Sequence, residues 1–119
     1  VGKTNFLSAN VRTGTLQLST DLQVQTHEPL GHEGSKVTLS IRPEKLKFAQ
    51  ASDNQKLKVQ IKERFFLGNL WLYRVESELG ELEVSCINDG MAPKNEASVE
   101  HLTWEDAHFK VMSAPEALK

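Results

Sequence analysis

The chain has 119 residues, 39% of them hydrophobic, and a net charge of −2, enough for one domain with one core and not two. No run approaches the ~20 apolar residues that a membrane-spanning helix needs, and Val1–Val11, with one lysine and no continuous apolar centre, is not expected to act as an export signal. The pI near 6.1 argues against nonspecific nucleic-acid binding, and the single cysteine, Cys86, excludes an internal disulfide framework and fits a reducing compartment.

The chain opens VGKTNFLSANV, and Gly2-Lys3-Thr4 are the last three letters of a phosphate-binding P-loop. A P-loop lysine and threonine must begin a helix whose amides hold phosphate. Here Leu7, Ala9 and Val11 alternate after Thr4, and a Thr13-Gly14 turn follows, so the segment is expected to be strand. Thr15–Leu18 should form the returning strand, and His27–Ser35 a loop. In KVTLSI, Val37, Leu39 and Ile41 share a face. Pro43-Glu44-Lys45-Leu46 reads as a single helical turn, and Ala49–Gln55 as a second loop. In KLKVQIK, Leu57, Val59 and Ile61 point one way and the lysines the other. Leu70–Val75 is apolar on both faces and should lie centrally or at an interface. A turn at Leu79-Gly80 leads into ELEVSC, where Leu82, Val84 and Cys86 point inward. Thr103–Ala107 reads as a last helical turn, with Thr103 as its cap. Such short strands and regular turns predict an all-β fold, either a sandwich or a small barrel.

Charge is uneven: basic residues dominate from Lys45 to Arg64 and acidic ones from Arg74 to Asp106. Arg42 and Glu44 flank Pro43, which ends a strand because it cannot donate to the ladder. The pair either caps that turn or contacts a partner. Glu63 continues the inward phase of Ile61, where an unpaired carboxylate would be costly. Either a bulge around Glu63-Arg64 turns it outward, or it meets a cation, Arg42 or Arg64. Phe65, Phe66, Leu70, Trp71 and Tyr73 crowd one region as core and candidate interface. Glu76, Glu78, Glu81 and Glu83 straddle Gly80, either as a solvated face or as a candidate patch for a polycation. His27-Glu28 and His32-Glu33 have histidines five apart in a loop, unlike the helical H-E-x-x-H metal motif, so no metal site is predicted. No arrangement of nucleophile, base and carboxylate supports catalysis.

Several stretches together resemble a known family. VGKTNFLSANV is similar to the junction where the nucleotide-binding domain of an ABC importer ATPase gives way to its accessory domain, with Val1, Gly2, Asn5, Phe6 and Val11 matching. LSIRPEKLKF resembles the family's IRPE signature through Arg42, Pro43 and Glu44. VQIKERFFLGNLWLYRVES resembles its V-x-x-x-E-x-L-G stretch through Val59, Glu63, Leu67, Gly68, Tyr73 and Val75. The chain resembles the TOBE (transport-associated OB) domain, closest to the polyamine (spermidine/putrescine) subgroup. The resemblance implies an all-β, OB-like small barrel spanning 36–112, with additional N-terminal strands in 1–35 and a tail at 113–119, serving as a regulatory domain of a transporter's ATPase subunit, cytoplasmic and peripheral to the inner membrane. It implies contact with the equivalent domain of a second subunit and with the transporter's membrane subunits, and an upstream domain that carries ATP and magnesium. No cofactor and no enzymatic activity are expected of this segment itself. The alternative is a stand-alone OB-type module for an oligonucleotide or a small anion.

Overall fold

Alternating burial organises the strands into two sheets. The computed structural model describes residues 4–26, 32–50, 53, 57–88, 90 and 93–112. The first sheet contains β1 (Asn5–Arg12), β2 (Thr15–Ser19), β3 (Leu22–Val24), β4 (Lys36–Ile41) and β10 (Lys110–Val111), in the order β10-β4-β1-β2-β3. The second contains β5 (Lys47–Phe48), β6 (Leu57–Phe66), β7 (Leu70–Ser77), β8 (Gly80–Ile87) and β9 (Val99–Thr103), in the order β5-β9-β6-β7-β8. The fold is all-β and OB-like, as expected, and all pairings between these strands are antiparallel.

The strand that follows Thr4 is β1, and its Leu7, Ala9 and Val11 are buried. The N-terminal strands complete the first sheet, since β1 runs along the whole of β4, from Asn5 opposite Ile41 to Asn10 opposite Lys36. The inward residues of both sheets form one hydrophobic cluster, from Leu7 and Leu16 to Leu57, Val75, Val84 and Leu102. Burying such side chains is the main favourable term in holding the sheets together.

Turn chemistry sets the register. Thr13 and Gly14 both have positive φ (50° and 81°), the twist that a two-residue hairpin requires. Gly68, at φ 85°, turns the three-residue connection from β6 to β7, where Leu67 N–H donates to the Leu70 carbonyl at 2.8 Å. The β7–β8 turn lies one residue earlier than expected: Glu78 and Leu79 form it, and Gly80 already pairs with Ser77.

Both helical turns are 3₁₀ turns. Pro43–Lys45 follows β4 directly and packs against β8, with Pro43 fully buried. The second is Asp106–His108, preceded by Glu105 and lacking a side-chain cap. Thr103 therefore does not cap it. The backbone of Thr103 is still committed to β9, opposite Lys47.

Candidate functional site

The β6–β7 hairpin carries several of the residues singled out by the sequence, among them Glu63, Phe65, Phe66, Gly68, Trp71, Tyr73 and Glu76. Along β6, burial alternates through Leu57, Val59 and Ile61 and then breaks, with Lys62 and Glu63 both exposed. The register shows why: Ile61 faces Val75 and Glu63 faces Arg74, so Lys62 is the extra residue of a β-bulge. The bulge turns Glu63 outward, and Glu63 also meets a cation. That cation is Arg74, which donates through Nη1 to Glu63 Oε1. Neither expected partner serves. Arg42 Nε donates to Glu44 Oε2 at 2.9 Å, and Arg64 is carried to the opposite face by the same bulge.

Arg74 is the hub of the outward face. Its other nitrogens lie 4.0 Å from Glu81 Oε2 and 3.8 Å from Glu83 Oε2, and its guanidinium sits 5.5 Å from the Phe65 ring centre. Glu76 is approached by Lys62 Nζ at 3.5 Å. The glutamates therefore do not form a bare patch of four. Glu76, Glu81 and Glu83 share this face with two cations, and Glu78 in the turn accepts from Ser19 Oγ at 3.3 Å. The Arg42–Glu44 pair holds the Glu44 carboxyl below its ordinary range, chiefly through the Arg42 hydrogen bond, and braces the Pro43 turn.

The inward face beyond the bulge is a polar clamp. Tyr73 is buried, and its hydroxyl accepts the Lys94 backbone N–H at 2.9 Å. Arg64 Nη1 donates to the carbonyl of the same residue at 2.8 Å. One peptide segment is thus gripped by two side chains of adjacent strands. Burial is the main reason the Tyr73 hydroxyl is pushed above its ordinary pKa. Trp71 is half-buried, with Phe66 against it (ring centres 4.9 Å apart) and the Arg64 guanidinium 5.5 Å from its ring centre. Cys86 is partly buried against the core, as its phase predicts.

Asn5 binds the two sheets together. Its amide donates from Nδ2 to the Glu83 carbonyl at 2.9 Å, and its Oδ1 accepts the Glu83 N–H at 2.8 Å. Asn5 lies on β1 and Glu83 on β8, the end strand of the other sheet. At 6% exposure, Asn5 is one of two buried polar residues among those described.

A family model of the TOBE domain matches residues 39–112. The chain belongs to the TOBE domain family. No curated protein matches it. The matched span of the TOBE domain runs from the end of β4 through β10 and contains Arg42, Pro43, Glu44, Glu63, Gly68 and Tyr73. Asn5 precedes that span yet shares its core, while Gly2 and the His27-Glu28 pair lie outside the described residues. His32 and Glu33 are described, and Glu33 accepts the Thr13 N–H at 2.8 Å. Among the described residues, no group of three or more His, Cys, Asp or Glu converges as metal ligands would, and no helix is long and apolar enough to cross a membrane.

Arg74 was the main residue the sequence reading missed. Its signal was present: it shares parity with Glu76 and sits across the hairpin from Glu81 and Glu83. The bulge hid its pairing with Glu63.

Proposed function

We propose that this TOBE domain is the regulatory domain of the ATPase subunit of an ABC importer, and that it meets the equivalent domain of a second subunit through the far end of the β6–β7 hairpin. One observation carries the reading. Phe65, Phe66 and Leu67 are 39%, 52% and 40% exposed, and Ile87, across from Leu70, is 78% exposed. Large apolar side chains gathered at one end of a sheet are what a protein contact buries. Phe65 and Ile87 lie on the outward face and Phe66 on the other side of the hairpin, and the charged residues beside Phe65 and Ile87 give the contact a polar rim. A polyamine cargo or effector fits the acidic outward face, because Glu63, Glu76, Glu81 and Glu83 outnumber Arg74 and Lys62 there. The setting is the cytoplasmic face of a membrane, reached through the transporter. ATP binding belongs to an upstream domain, so the chain itself neither binds nor hydrolyses nucleotide.

Sedimentation equilibrium tests the contact. The isolated chain should self-associate weakly, as expected when an interface falls below about 1,000 Å², and Phe66→Glu should abolish that association. A monomer at every concentration, with Phe66→Glu indistinguishable from the parent, defeats the dimer reading. Calorimetric titration with spermidine tests the acidic face separately: salt-sensitive binding weakened by Glu81→Gln supports the polyamine assignment, and no heat at low salt removes it.

A further inference from the structure

Among the described residues, the outward face of the first sheet carries no carboxylate. Residues directly opposite one another in an antiparallel ladder share a face, so the register assigns its members. Phe6 and Lys110 flank Ser40. Two residues along β4, Ser8 and Met112 flank Thr38, whose carbonyl accepts the Met112 N–H at 2.8 Å. Lys36 faces Asn10, and Arg12 stands two residues beyond Asn10 on β1. Asp21 and Glu33 lie in the connections of this sheet, outside its strands, and Glu33 is engaged by the Thr13 N–H at 2.8 Å. The chain holds 16 acidic and 14 basic residues, so composition alone does not produce such a face. A face that only needs to stay solvated mixes both signs. We propose that this face docks an acidic segment of another protein. The contact is separate from the hairpin-tip contact and does not depend on the transporter reading.

Charge complementarity carries the assignment. Arg42, Lys62, Arg74 and Lys94 each have a carboxylate partner. Among the described residues, no carboxylate lies within ion-pair distance of Arg12, Lys36 or Lys110. Lys110 marks one end of the face, beside Ser40, and Lys36 marks the other. Ser40 and Lys36 are four residues apart on β4, about 13 Å of extended strand. Between them Ser8, Thr38 and Asn10 offer neutral donors and acceptors. Phe6 and Met112, 59% and 40% exposed, add apolar surface on either side of β4. A polypeptide with carboxylates toward both ends and an apolar side chain beside Phe6 satisfies all three features. A lipid surface fits less well, because three cations and two apolar side chains give only marginal attraction to a bilayer. Single-stranded nucleic acid stacks on successive aromatic rings, and Phe6 is the one aromatic among the described residues of this face. The acidic side of a second copy is also a poorer match, since Arg74 and Lys62 already engage its glutamates.

Amide chemical shifts of the full chain at low ionic strength provide the test, with poly-L-glutamate and a glutamate–tyrosine copolymer as probes. Saturable shifts at Phe6, Ser8, Lys36, Thr38 and Lys110 are expected with both, and the copolymer should bind more tightly. Lys36→Gln/Lys110→Gln changes two exposed side chains and should weaken both probes at least about threefold. Lys58→Gln/Lys62→Gln, on the other sheet, should leave both affinities unchanged. Phe6→Ser should remove the copolymer's advantage while poly-L-glutamate binds as before. No saturable shift, shifts confined to other surfaces, or equal losses in the two lysine variants overturns the proposal. Tighter binding of oligothymidylate or of phosphatidylglycerol vesicles to the same amides also overturns it. So do shifts of those amides with protein concentration alone, which would assign the face to a second copy.

Discussion

Glu83 is held from two directions by two kinds of chemistry. Its backbone is clasped by the Asn5 amide, a neutral pair of hydrogen bonds in a dry place. Its side chain joins Glu63 and Glu81 around Arg74, an ion cluster open to water. The cluster has more charge and more partners, yet the clasp should contribute more to stability. Water screens exposed charges and solvates them equally well in the unfolded chain. A part-buried amide that loses its partner leaves polar groups that water reaches poorly. The Tyr73–Lys94 clamp lies between these extremes, with one hydrogen bond given by the Lys94 N–H to a buried hydroxyl.

Asn5→Ala is the sharpest way to break the comparison. It removes two part-buried hydrogen bonds and strands the Glu83 N–H and carbonyl, so it should cost about 2–3 kcal/mol in urea unfolding. Asn5→Asp refines the result, since aspartate accepts from the Glu83 N–H but cannot donate to its carbonyl. Its stability should fall between the parent and alanine at acidic pH, where a protonated carboxyl recovers the donor.

Tyr73→Phe should cost about 1 kcal/mol, one hydrogen bond at a part-buried N–H. It also carries a pH signature. Burial raises the folded-state pKa of Tyr73 above its ordinary value of 10.0. Its contribution is therefore complete below pH 10 and is lost as pH rises through the folded-state value. Thermal melting from pH 9 upward should show the parent falling faster than Tyr73→Phe, so that the gap between them narrows. A gap that stays constant would mean Tyr73 does not set the alkaline limb.

Arg74→Met should cost no more than about 1 kcal/mol despite its three glutamates, and most of that should disappear in high salt. A larger, salt-independent loss would show the cluster to be as important as the clasp. Glu63→Ala is the smallest change, within about 0.5 kcal/mol, because the bulge already places that side chain in water.

The strand phases of β1, β4 and β8 could be read from the sequence because each buries one face, and burial of one face imposes period two. The Pro43 turn was legible from proline alone. The Glu63 environment was only half legible. An inward phase followed by a carboxylate signals a break in the ladder, but an inserted residue shifts every later pairing, so Arg74 could not be matched to Glu63 without the register. Asn5 matched a family position, yet its contact lies 78 residues away on the other sheet, and no local pattern encodes that.

The position of Asn5 bears on how this protein stays dispersed. β8 ends its sheet, and the edge of an end strand is a template for any other extended chain unless it is covered; here the Pro43–Lys45 turn packs against part of β8. Asn5 fills the middle of that edge with a side chain that mimics a neighbouring strand over one residue and cannot propagate the pairing further. Chains that lose this plug should add copies of themselves along β8, and cloudiness on concentration should appear in Asn5→Ala before any loss of secondary structure.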